Sequence, residues 1–150
     1  MTHPLETVAA QMEWAAKNTA CNLGFIPEDK LNWKPAPTAK SALEIVNHVM
    51  QFTQGATGVA RDGAWTETSF TPATNLEEAN EMLTRVSKEY AAALRQVDPA
   101  RLGGEITLPF GTFPLPMFLS MPQVDLIHHH GQIVYLQTLL GDEEMHWAGD

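Results

Sequence analysis

The chain has one cysteine, Cys21, in 150 residues. No disulfide can close within it, and nothing in its cysteine usage points to an oxidising compartment. Cations are scarce: 9 Lys and Arg stand against 18 Asp and Glu, a formal charge of −9. Nucleic-acid binding draws much of its free energy from basic side chains that neutralise phosphates. Here those side chains are few and scattered, which argues against nucleic acid and against an anionic membrane surface. No apolar run approaches the ~20 residues that span a bilayer. The opening Met1-Thr2-His3-Pro4-Leu5-Glu6 has neither the basic nor the apolar stretch of a signal peptide. A cytoplasmic protein is the expectation.

What is present is ordinary for a globular chain: 44% apolar and 18% charged residues. That length and apolar content suit a single domain, 1–150, that buries its core without disulfides or a structural metal. A metal site here would serve function rather than hold the fold.

Four stretches carry helical periodicity. In residues 5–23, Leu5, Val8, Met12, Ala15, Ala16 and Thr19 recur at steps of three and four. Pro35 and Pro37 mark the linker that follows, where Trp33 is read as covering the edge of the core. Ser41 with Glu44 forms a capping box. It opens a second helix along Ala42, Ile45, Val49 and Phe52, with an end expected near residues 55–58. A Gly-, Thr- and Pro-rich loop is expected over 61–74. A third helix starts near Asn75, with Glu78 completing its start signal, and Pro99 stops it. Ile106, Leu108 and Phe110 alternate briefly, as an extended piece would. The fourth helix covers about 115–140 and includes Pro122, with Gly141 as its stop. The fold class is all-α, a four-helix bundle with long crossover loops.

Histidine carries the chemistry. At about 100° per residue, with Asp125 at zero, His129 lies at about 40° and Leu136 at about 20°. Asp125 and His129 therefore share the apolar side of the fourth helix, while His130 points away and His128 sits at the stripe's edge. A carboxylate on such a stripe is costly unless paired or bound to metal. The i, i+4 spacing suits two ligands of one ion, and equally a buried hydrogen-bonded pair. His48 lies among Ile45, Phe52 and Val59 on the second helix. It reads as a core histidine or, if those two helices are neighbours, as a third ligand. Consecutive helix positions diverge, so the run His128-His129-His130 does not form one site. His3 and His146 read as solvated, Trp14, Trp65 and Trp147 as core or edge packing, and Cys21 as a small buried apolar residue.

Two segments resemble a known family. Trp33-Lys34-Pro35-Ala36-Pro37, followed by Ser41-Ala42-Leu43-Glu44-Ile45-Val46-Asn47-His48, is similar to the entry into the second helix of DinB/YfiT-like proteins. Leu126-Ile127-His128-His129-His130-Gly131-Gln132, running on to Gly141, resembles that family's last helix. There the usual form is two histidines four apart, then Arg-Gly-Gln. The resemblance implies a four-helix bundle, often a homodimer, with a metal held by three histidines. His48 and His129 match two of them. Asp125 stands at the third and His130 where arginine is usual. It further implies a divalent transition metal (Zn, Ni, Fe or Mn) held by His48, Asp125 and His129. The implied activity is that of a metal-dependent transferase or isomerase using a low-molecular-weight thiol, with its small-molecule substrate near Trp33 and residues 110–113. A non-catalytic, stress-linked metal- or ligand-binding protein is the other reading. No general base is identified.

Overall fold

The computed structural model describes residues 1–67 and 69–149; Thr68, in the expected loop, and Asp150 lie outside the described residues. Four helices dominate: α1 (Glu6–Leu23), α2 (Ala42–Asp62), α3 (Leu76–Arg95) and α4 (Leu115–Leu139). Between α3 and α4, β1 (Glu105–Leu108) and β2 (Gly111–Pro114) form an antiparallel hairpin with Ile106 opposite Phe113. This is the extended piece that the alternation of Ile106 and Leu108 anticipated. Short 3-10 turns occupy Glu28–Lys30 and Pro99–Gly103.

Helix starts follow from their caps. Ser41 Oγ accepts from the Glu44 amide at 3.3 Å, and the Glu44 carboxylate accepts from the Ser41 amide at 2.8 Å. Two donors that the first turn of a helix leaves unpaired are thereby satisfied. Asn75 caps α3 by accepting from the Glu78 amide at 2.9 Å, while Glu78 reaches one residue further back to the Thr74 amide and hydroxyl.

The end of α2 departs from expectation. Gly55 and Gly58 do not terminate it; it continues to Asp62 and stops at Gly63, whose φ of 74° is left-handed. Both glycines lie inside the helix because the loop behind it folds back flat onto them. A Cβ at Gly55 would lie 2.2 Å from the Trp65 indole, and one at Gly58 2.0 Å from the Thr66 hydroxyl. Glycine costs a helix interior about 1 kcal/mol relative to alanine. Here it gives an aromatic ring a seat against the backbone.

α1 and α2 each pack against both α3 and α4, so the order around the bundle is α1, α3, α2, α4. Met12, Leu23, Ile45, Met50, Leu83, Leu94, Phe118, Leu126 and Ile133 fill the centre. Tyr90 is fully buried, and its hydroxyl donates to the Leu119 carbonyl at 2.7 Å, tying α3 to α4 across the core. Arg95 forks onto Glu6 and Glu13 and joins the end of α3 to α1. Among the described residues no helix is long and apolar enough to cross a membrane.

Several single-residue expectations are corrected. His3 is half-buried, with Nε2 2.8 Å from the Val97 carbonyl and Nδ1 accepting from the Leu5 amide. His146 is not free in solvent either: it stacks on Phe25, centroids 3.5 Å apart, and bonds Asp142 at 2.9 Å. Trp14 and Trp147 pair with each other on the surface, each about half exposed. Cys21 is only partly buried. Trp33 and Trp65 do pack against the core edge.

Tyr90→Phe leaves the Leu119 carbonyl without its buried donor. Equilibrium urea unfolding should show a loss of about 1–2 kcal/mol with an unchanged m-value.

Candidate metal centre

α4 carries one charged side chain in 25 residues, Asp125. Its rotation decides where that carboxylate goes. On the α1 side Gln137 accepts from Asn22 Nδ2 at 3.0 Å, and His130 Nε2 donates to Asn22 Oδ1 at 2.8 Å. Burial pushes the His130 imidazole below its ordinary pKa. With His130 held toward α1, Asp125 and His129 are turned toward α2. There they meet His48, and one donor atom from each of the three lies within 4.8 Å of the others.

The His129 side chain is 11% exposed and that of Asp125 28%. His129 Nδ1 donates to the Asp125 carbonyl at 2.9 Å, with the Asp125 carboxylate at 3.1 Å. An imidazole whose Nδ1–H is engaged in this way presents the lone pair of Nε2 outward, the arrangement common behind histidine ligands. The His48 ring lies 5.2 Å from the His129 ring, centroid to centroid. Partial burial, then the neighbouring His129, hold the His48 imidazole below its ordinary value near 6.5; Asp125 opposes this shift. A neutral imidazole is the form that binds a metal ion.

The neighbouring helices do bring the three residues together, but at the α2–α4 seam rather than in the bundle core. His48 is exposed on its outer edge. The helical wheel placed it correctly between Ile45 and Phe52, yet the apolar stripe of α2 ends there: Glu44, His48 and Gln51 form the solvent side.

Two imidazoles and a carboxylate form a donor set of the right chemistry for a divalent transition metal. Ligands about 2.1 Å from an ion in tetrahedral geometry stand about 3.4 Å from one another. The three donor atoms, all within 4.8 Å of one another, are spread somewhat wider than that at most, and the chemistry of the set fits such an ion.

A groove of about 610 Å³ opens beside the triad between α2 and α4, walled by Phe52, Met117, Met121 and Val124, with His48 and Asp125 at its end. The family resemblance had implied Trp33 and residues 110–113 as its lining. Phe113 instead touches Phe118, which touches Phe52, so the hairpin aromatics stand one layer behind the wall. Among the sequence signals, Phe52 one turn beyond His48, and Met121 on the face of α4 that carries Asp125, marked this wall. His128, at the rim, accepts at Nε2 from the Gln132 side-chain amide at 3.2 Å.

Four helices with a His–Asp–His cluster on one seam define an all-α helical-bundle protein with a candidate metal site. The family model described as the DinB superfamily matches residues 5–133, and the chain belongs to that superfamily. Its fold is similar to the crystal structure of a DinB-like protein, YjoA, from Bacillus subtilis. The TM-score is 0.74 at 21% identity, with 96% of this chain and 98% of that one covered. No curated protein matches the chain.

His48 should titrate below 6.5 when followed by histidine NMR in metal-free protein. Asp125→Asn removes the one neighbour that favours its protonated form and should lower its pKa further. An unchanged or higher pKa in that variant would show that the carboxylate does not face His48.

Proposed function

We propose that the chain binds a divalent transition metal ion through His48, Asp125 and His129, and that this ion is the seat of its activity. The observation that carries the reading is the convergence of three donors from two helices within 4.8 Å of one another. The engaged Nδ1 of His129 and the depressed proton affinity of His48 support it. Zn, Ni, Fe and Mn all suit the donor set.

Three protein ligands leave coordination positions open, and the apolar groove leads to them. The enzyme form of the proposal is a metal-dependent transferase or isomerase with a low-molecular-weight thiol as co-substrate. A bound ion would hold such a thiol as its thiolate. A carboxylate in place of a third imidazole lowers the net positive charge at the ion and weakens that effect. His48 and His129 would orient the ion, and Phe52, Met117 and Met121 would exclude water from the electrophile's side. One observation favours the non-catalytic alternative: the Asp125 carboxylate already has a partner in His129, so the pair is satisfied without any ion.

Elemental analysis of untagged wild-type protein should find close to one metal per chain, lost in both His48→Ala and Asp125→Ala. Adding a small thiol to the cobalt-substituted protein should then produce a sulfur-to-metal charge-transfer band in the near ultraviolet. Metal without that band leaves the non-catalytic reading; no metal after reconstitution removes both.

The proposal extends to a homodimer through the outward face of Ile127 and Tyr135, both exposed. Because α4 bears a single charge, two copies of an acidic chain meet there with least repulsion. Light scattering should give twice the mass of one chain, and Ile127→Glu should return the monomer with its metal content intact.

A further inference from the structure

Three grooves meet at the triad. The apolar one lies between α2 and α4. A second, also about 610 Å³, runs between α4 and the segment before α2, past Thr38, Lys40, Gln132 and Tyr135. A third, about 650 Å³, follows the outer edge of α2 past Lys34, Lys40 and Gln51. His128 borders the first and second, and His48 the first and third. The imidazoles are thus the partitions between a strongly apolar compartment and two of mixed lining.

The two mixed compartments share one cation, Lys40. Most of the chain's nine cations are engaged. Lys30 lies by Asp29, Lys34 pairs with Glu44 at 2.7 Å, Arg85 with Glu89, and Arg95 with Glu6 and Glu13. Lys17 donates to the Gly149 carbonyl, and Arg101 to those of Val59 and Ala60. Lys40 has no carboxylate partner among the described residues, although the chain carries twice as many acids as bases. Glu44, the acid nearest in sequence, is already held by Lys34 and Ser41. A solvated surface lysine needs no groove. This one lines two, at the point where both reach the triad.

We propose that the site takes an amphipathic anion. Its apolar part lies along Phe52, Met121 and Val124, its donor group reaches the triad, and its carboxylate or sulfonate pairs with Lys40. The proposal rests on the metal-site reading for the donor group alone; the apolar wall and the cation stand without it. Lys40 is then a specificity residue. It selects an acid over the matching neutral molecule and takes no part in holding the ion.

Two fluorescent probes test this. 8-Anilino-1-naphthalenesulfonate and N-phenyl-1-naphthylamine share their rings and differ in the sulfonate. Wild-type protein should bind the sulfonate more tightly at low salt, and the preference should fade as salt rises. Lys40→Ala should weaken sulfonate binding by about three- to fivefold, the scale of an exposed ion pair, and Lys40→Glu by more. Neither should change binding of the neutral probe, whereas Val124→Glu should weaken both. Equal loss of both probes in the Lys40 variants, no loss in either, or indifference of both to Val124→Glu overturns the proposal. Metal content measured on the same samples separates the two readings. Metal absent with the sulfonate preference intact sinks only the metal site; metal present with no preference sinks only the amphipathic anion.

Discussion

Asn22 on α1 and Gln137 on α4 meet inside the bundle, amide to amide at 3.0 Å, and both are almost fully buried. Leaving either unpaired would cost about 1–3 kcal/mol. His130 occupies the remaining acceptor of Asn22, and the Gln137 amide donates onward to the Glu144 carbonyl at 3.3 Å. A turn of α4 by one residue, about 100°, would break all of these bonds. An apolar helix has no other strong preference about which way it faces, so this polar cluster sets α4's rotation. Tyr90, bonded to the Leu119 carbonyl, fixes the same helix from the α3 side. Asp125 and His129 face α2 as a result.

The triad's place on a seam, rather than on the bundle axis, follows from the energetics of charge. A carboxylate in a closed apolar core is held only at a large desolvation cost. At the seam Asp125 keeps partial contact with water and a bond to His129. The ordering of exposure, from His129 through Asp125 to His48, gives the cluster a rigid inner side and an accessible outer one. Ligands need the second and geometry needs the first. The apolar groove then lies against the exposed side, so an apolar group that reaches the donors along it passes Phe52 and Met121 on the way.

Much of this could be read from the residues alone, and the parts that could not share a cause. The Ser41–Glu44 box, the Asn75 cap and the pairing of Asp125 with His129 are local: each depends on residues within one turn. The family resemblance supplied His48, which periodicity left as an ordinary core histidine. What escaped sequence reading depends on distant chain segments. The exposure of His48 is set by where the stripe of α2 ends against α4. His3 is held by a carbonyl at Val97, and His146 by a ring at Phe25. Terminal histidines carry no sequence mark of such partners. The rest of the groove's lining was hidden for the same reason: nothing along α4 marks Met117 as a wall until α2 is set beside it.

Gly55 and Gly58 were misjudged because glycine in a helical pattern usually signals an end. Here each is the complement of a residue that follows the helix, Trp65 and Thr66. Position 55 and position 65 therefore do not vary independently. A larger residue at one demands a smaller residue at the other, and their effects on stability will not add. Across relatives of this chain, these two positions should change together or not at all, marking the loop and the helix as one inherited unit.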